Sequence, residues 1–146
     1  MIEVQIANEH ADFSADEDRL RQAVVNVLIE AGLARGVVSV AIVGDAAMHR
    51  LNAEFLAHDC PTDVLSFLLE RSADALEGEI VVSADTARQV AQRMGWPAAD
   101  ELLLYVVHGA LHLVGHDDLR DDQRQQMRQS ERRHLAHFGL TPREQE

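Results

Sequence analysis

The stretch from His108 to Asp118 constrains the fold of this chain more than any other. Its two histidines, His108 and His112, stand four residues apart, which places both imidazoles on one face of an α-helix with Cβ atoms about 5–6 Å apart. Gly115 follows, and a glycine there can adopt a left-handed conformation that ends the helix. Asp118 can then return as a third ligand, a spacing typical of zinc hydrolases that leave one metal position open to water.

The identity of the third ligand is open between two residues. Asp118 has the better spacing, because the residue directly after Gly115 is still completing the turn. His116 is the alternative, since histidine is the commoner zinc ligand. A structural role for the two histidines competes with metal binding, but imidazoles in an apolar helix need partners. We therefore predict one zinc ion per chain, held by His108, His112 and Asp118, or by His116 in place of Asp118; another divalent metal is the alternative ion.

The helix that carries this motif is predicted over Ala98–Val114 and is apolar on nearly every side. Its one polar stripe consists of the side chains of Glu101, Tyr105, His108 and His112. A buried helix with a single polar stripe predicts a cleft that runs along the stripe.

Apolar periodicity predicts four strands interleaved with about five helices. The predicted strands are Ile2–Ile6, Val37–Val43, Val64–Leu68 and Glu79–Val82, and the predicted helices are Asp16–Ala31, Asp45–Leu56, Ala84–Met94, Ala98–Val114 and Asp121–Phe138. The polar segment Arg71–Glu77 is predicted as an exposed loop. The fold class is α+β: one domain over residues 1–146, with a mixed four-stranded sheet and a zincin-like metal site on the buried helix.

The composition favours a cytoplasmic location. Apolar residues make up 47% of the chain, which argues against disorder of the whole chain. The single cysteine, Cys60, excludes an internal disulfide, and this fits the reducing cytosol best. The longest strongly apolar run, Leu102–Val107, is far shorter than the ~20 residues that cross a bilayer, so no membrane partner is expected. A net charge of −12 opposes non-specific adhesion to nucleic acid, although a metal ion and local arginines can offset it.

The residue after His108 separates two kinds of zinc hydrolase. Zinc peptidases with a His-Glu-x-x-His motif use the glutamate at that position as general base. This chain has Gly109 there. A peptidase would need a base from elsewhere, so the motif favours a hydrolase of another class.

The pattern His-Gly-x-Leu-His-Leu-x-Gly-x-Asp resembles the signature of the YbeY family, bacterial metal-dependent endoribonucleases of ribosomal RNA maturation. Leu51–Phe55, Asp59 and Pro61–Phe67 are similar to the second signature of that family. Gly78–Ser83 is similar to its Gly-Asp-Ile-x-Ile strand. The matches agree in order and spacing over about residues 35–120.

The resemblance implies a zinc-dependent enzyme that cuts single-stranded RNA. It also implies maturation of the 3′ end of 16S ribosomal RNA, ribosome quality control, and the small ribosomal subunit as a partner. Two departures bear on activity. Asp118 stands where the family usually has histidine, and Leu56 stands where the family usually has an arginine, whose loss removes a phosphate contact. The alternative functions are a peptidase-like metal hydrolase and a ribosome-assembly factor with weakened catalysis.

Several further residues are weaker candidates. The catalytic ones are Asp63, Ser66 and Asp117, the last of which would orient a ligand imidazole or cap the turn. Arg50 and His58 lie near the second signature and are candidates to replace the missing cation. A second set of RNA-binding candidates, led by Arg120 and Arg124, forms a stripe at four-residue spacing on the last helix with Arg128 and Arg132. The competing interpretation is a solvated face paired with Asp121, Asp122 and Glu131.

Overall fold

The computed structural model describes residues 1–56 and 63–142, without the side chains of Phe55 and Leu56. Within these ranges the strands form one mixed sheet in the order β1–β2–β4–β3. The strands are β1 (Ile2–Asn8), β2 (Arg35–Val43), β3 (Val64–Arg71) and β4 (Ala75–Ser83). β1, β2 and β4 are parallel, and β3 runs antiparallel to β4 at one edge. The predicted mixed sheet is confirmed.

The helices of the described ranges also follow the prediction. They are α1 (Glu17–Glu30), α2 (Asp45–Leu56), α3 (Ala84–Met94), α4 (Ala98–Leu113) and α5 (Asp121–Ala136). Side-chain caps start two of them: Asp16 accepts the amide proton of α1 residue Arg19, and Ser83 accepts that of α3 residue Thr86. None of the described helices is long and apolar enough to cross a membrane.

Alternating side chains give the sheet two apolar faces. On one face, residues such as Val40 and Ile80 pack with α1, α3 and α4 in the main core. On the other face, a smaller cluster joins Val81 and Leu65 to Met48 of α2. α4 contacts β3, β4, α1, α3 and α5, which explains why nearly every side of this helix is apolar.

The predicted loop Arg71–Glu77 is wrong at both ends. β3 continues to Arg71 and β4 begins at Ala75, so only residues 72–74 separate them. Leu76, in the part of β4 that is predicted as loop, has a buried side chain and pairs in register with Gly36 of β2. The alternation was hidden because the neighbouring charged side chains face solvent and a bulge between Leu68 and Glu70 shifts the register.

Candidate metal centre

The end of α4 brings the predicted ligands together. His108 and His112 share one face of the helix, and Gly115 adopts the predicted left-handed conformation with φ of 108°. The amide of His116 donates to the carbonyl of Leu111 at 3.0 Å, which closes the helix end. The chain then turns back toward the two imidazoles.

Three donor atoms converge at this turn. His108 Nε2 lies 3.1 Å from His112 Nε2, and Asp118 Oδ2 lies 3.5 Å and 3.6 Å from these two nitrogens. Ligand atoms about 2.0–2.1 Å from a tetrahedral zinc ion are separated by roughly 3.3 Å. The three side chains are therefore spaced to hold one metal ion. Among the described residues, the group able to share an ion is His108, His112 and Asp118, and His116 does not belong to it.

A carboxylate from α5 contacts the far side of one imidazole. Glu131 Oε2 lies 2.6 Å from His108 Nδ1, and the Glu131 side chain is 13% exposed. Burial by itself would lower the pKa of His108, but the hydrogen bond and charge of Glu131, with other carboxylates nearby, outweigh burial and raise that pKa. A metal ion therefore competes with a proton for His108 Nε2.

Sequence reasoning missed this role of Glu131. The sequence places Glu131 among the charges of a solvated helix face, whereas in the structure Glu131 contacts His108. The sequence signal for a buried Glu131 is its position four residues after the apolar Met127, because residues four apart share a helix face. In the structure Met127 is buried in the main core.

Gly109 lies on the side of α4 that faces the sheet. A Cβ atom at this position would lie 2.7 Å from Ile80 Cγ2 and 3.1 Å from both Ser66 Oγ and Val64 Cγ2. Such contacts are too close for any side chain to fit without rearrangement. The general base of a His-Glu-x-x-His peptidase therefore has no room at residue 109.

A cleft follows the polar stripe of α4, as the sequence predicts. Within the described part of the chain, three adjoining cavities line up along Glu101, Tyr105, His108 and His112. Asp63, directly before β3, borders all three cavities. The metal ligands thus open into a continuous groove rather than into a closed structural site.

The other two catalytic candidates are engaged with backbone groups. Ser66 Oγ donates to the carbonyl of Gly109 at 3.0 Å, which ties β3 to α4. Asp117 Oδ1 accepts the amide proton of Asp118 at 2.8 Å, which favours its role as the cap of the turn.

The arginine candidates occupy different surroundings. Arg120 pairs with Asp122, and Arg50 is exposed on α2, on the sheet face opposite α4. Arg124 borders the cleft but its guanidinium contacts Asp121 and two backbone carbonyls. Arg128 also borders the cleft and, within the described residues, makes no ion pair. His58 and Cys60, together with the side chain of Leu56, lie outside what the structure describes.

Glu101 is a buried carboxylate in the wall of the cleft. It is 4% exposed, and Trp96 Nε1 donates to its Oε1 at 2.8 Å. Burial raises the pKa of Glu101, outweighing the hydrogen bonds from Trp96 and Tyr105. The fold therefore favours the neutral carboxyl group.

We expect Glu101→Gln to stabilise the protein at pH 7 by on the order of 1 kcal/mol, because it removes a desolvated charge and keeps an acceptor for Trp96. With a raised pKa, the stability contributed by Glu101 is full below the ordinary value of 4.5 and is lost as pH rises through the folded pKa. Urea denaturation at pH 7 and at about pH 4 measures both effects. Glu79→Gln, on the exposed side of β4, is the control. Equal stability of wild type and Glu101→Gln at pH 7 would contradict this assignment.

The family model and the similar proteins found by comparison carry the same description. The family described as "Endoribonuclease YbeY" matches residues 5–139. Proteins of that name are 47% identical over 123 residues in Rhodopirellula baltica, 39% over 120 residues in Chloroherpeton thalassium and 38% over 140 residues in Carboxydothermus hydrogenoformans. These matches cover 83%, 82% and 93% of this chain, and 63%, 84% and 97% of the respective relatives.

The fold is also found among solved structures. The solution structure of the Thermotoga maritima protein TM1509 superimposes with a TM-score of 0.62 at 24% identity, covering 100% of this chain and 97% of the other. This likeness supports the predicted α+β fold class.

Proposed function

The chain belongs to the YbeY family of endoribonucleases, and from that premise we propose that it is a zinc-dependent enzyme that cuts single-stranded RNA. The observation that supports this proposal best is that His108 Nε2, His112 Nε2 and Asp118 Oδ2 converge in the wall of an open cleft. We further propose that it acts in the cytoplasm on ribosomal RNA, at the 3′ end of 16S RNA, and in ribosome quality control with the small ribosomal subunit.

The proposed chemistry assigns a part to each side chain. His108, His112 and Asp118 hold the metal ion, which when bound supplies an acidified water and a Lewis acid for the phosphoryl oxygen. Asp63 borders the same cleft, and we assign it the role of accepting a proton from the attacking water. The carboxylate ligand Asp118 adds negative charge to the site, which moderates the acidification of water relative to a third histidine.

The cleft needs a cation to receive a polyanion. Its walls carry the carboxylates Asp63, Glu101 and Glu131. Arg128 borders the two cavities that these carboxylates line, and it makes no ion pair with a described residue, so we assign its guanidinium a phosphate contact. Arg128 thus supports RNA binding beside the metal ligands despite the net charge of −12.

We expect Arg128→Ala to weaken binding of a single-stranded RNA oligonucleotide about fivefold and to reduce the slope of log affinity against log salt by about one counterion. Fluorescence anisotropy with zinc withheld measures binding without cleavage. Arg120→Ala is the matched control, because Arg120 lies on the same stripe but pairs with Asp122. A salt slope that is unchanged in Arg128→Ala and reduced in Arg120→Ala would overturn this assignment.

Incubation of the purified protein with end-labelled single-stranded and duplex RNA tests the proposed function. We expect cleavage of the single strand, loss of cleavage with a chelator, and recovery when zinc is added. Cleavage of peptides without cleavage of RNA would instead support the peptidase, which Gly109 argues against. Ribosome association without cleavage would support the assembly factor.

A further inference from the structure

We propose that α5 positions the metal site, with Glu131 orienting the imidazole of His108 and Arg124 holding the turn that carries Asp118. This inference rests on the proposed set of metal ligands. It assigns to α5 two positioning residues, neither of which contacts the metal itself.

The first contact is between α5 and α4. Glu131 Oε2 lies 2.6 Å from His108 Nδ1, so the carboxylate keeps a proton on Nδ1 and leaves the lone pair of Nε2 directed toward Asp118 and His112. Because Glu131 is 13% exposed, water competes weakly for its carboxylate. A histidine oriented in this way needs no change of tautomer or ring orientation when it binds a metal ion.

The packing of α5 fixes the position of that carboxylate. Met127 and Leu135, each four residues from Glu131, are 2% and 0% exposed in the main core. They flank Glu131 on the same helix face. The carboxylate is therefore presented by a helix that is anchored on both sides of it.

The second contact is between α5 and the turn after α4. Arg124 Nη1 donates to the carbonyls of Asp118 at 3.3 Å and Leu119 at 3.2 Å, while its other terminal nitrogen pairs with Asp121. The Leu119 side chain is 78% exposed, so apolar packing does not hold this turn. The guanidinium instead fixes the backbone from which the Asp118 carboxylate projects.

These contacts couple metal binding to the docking of α5. If α5 improves the affinity of the site for zinc, bound zinc must in turn stabilise the docked helix, because such coupling is reciprocal. We expect zinc to slow hydrogen exchange of the α5 amides in the wild type. The effect should be lost in Glu131→Ala.

The primary test is the zinc affinity of the metal-free full chain, measured by competition with a chromophoric chelator. We expect Glu131→Ala to bind zinc 10- to 100-fold more weakly, the usual effect of removing a carboxylate partner of a ligating histidine. Glu131→Gln keeps an acceptor for the Nδ1 proton and should lose less. Gln129→Ala, an exposed position on the same helix, should match the wild type.

The Arg124 contact is tested by the same measurement. Arg124→Ala should weaken zinc binding by about three- to tenfold, and Arg124→Lys should restore little of it, because an ammonium group lacks the forked geometry of the guanidinium. Circular dichroism establishes that each variant keeps its helices.

The outcomes separate this inference from the proposed function. Folded Glu131→Ala that binds zinc within twofold of the wild type would overturn the positioning role of Glu131, whatever the RNA cleavage assay shows. Arg124→Ala with wild-type affinity would overturn the role of Arg124. A wild type that binds no zinc would overturn both roles together with the proposed metal site, and a wild type that binds zinc but cuts no RNA would leave both roles standing.

Discussion

His112→Ala is expected to abolish stoichiometric zinc binding and to lower RNA cleavage by at least about 10³-fold. The substitution removes one of three converging donor atoms and leaves two ligands from different segments of the chain. A bound metal contributes several kcal/mol to the transition state, and about 4 kcal/mol corresponds to a factor of 10³. Zinc content by atomic emission and single-turnover cleavage of a labelled RNA measure the two losses.

Two matched comparisons accompany this prediction. His137→Ala removes an exposed histidine near the end of α5 and should retain both zinc and cleavage. Asp118→Ala should lose zinc, whereas His116→Ala should keep it. Loss of zinc in His116→Ala alone would transfer the third ligand to that residue, and retention of zinc and cleavage by His112→Ala would refute the site.

Gly109→Glu is expected to destabilise the fold by more than about 3 kcal/mol, even though it creates the His-Glu-x-x-His motif of zinc peptidases. The new Cβ would lie 2.7 Å from Ile80 Cγ2, and a charged side chain would enter the contact between α4 and the sheet. A loss of this size is a large share of the stability of an ordinary domain. Urea denaturation measures the difference in free energy of unfolding.

Two further variants separate the causes of that loss. Gly109→Ala adds only the Cβ and should cost less, because alanine also favours the helix. Ala53→Glu places the same side chain on an exposed helix position and should change stability little. A stable Gly109→Glu protein that cuts peptides would contradict both the packing argument and the rejection of a peptidase.

Local patterns in the sequence account for most of the fold. Gly115 ends α4 as predicted, and the caps Asp16 and Ser83 start α1 and α3 close to the predicted positions, because each residue acts through its own neighbouring backbone. The apolar surface of α4 predicts its burial for a similar reason. The extent of β3 and β4 was missed since it depends on pairing with a partner strand, which periodicity in a charged segment does not reveal.

In the candidate site, too, the features set by nearby residues are predicted from the sequence, and those that depend on packing between distant elements are not. The convergence of His108, His112 and Asp118 follows from fixed spacing within one helix and one turn, so the sequence predicts it. The contact of Glu131 with His108 joins residues 23 positions apart and depends on how α5 docks on α4. Likewise, Gly109 is explained only when Ile80 of β4 is placed against it.

Anomalous diffraction at the zinc absorption edge, from crystals of the zinc-loaded protein, tests the central claim that three side chains hold one catalytic ion. The account predicts a single anomalous peak about 2.0–2.2 Å from His108 Nε2, His112 Nε2 and an Asp118 carboxylate oxygen. A peak bound through His116 instead of Asp118, or a peak away from these imidazoles, would contradict it.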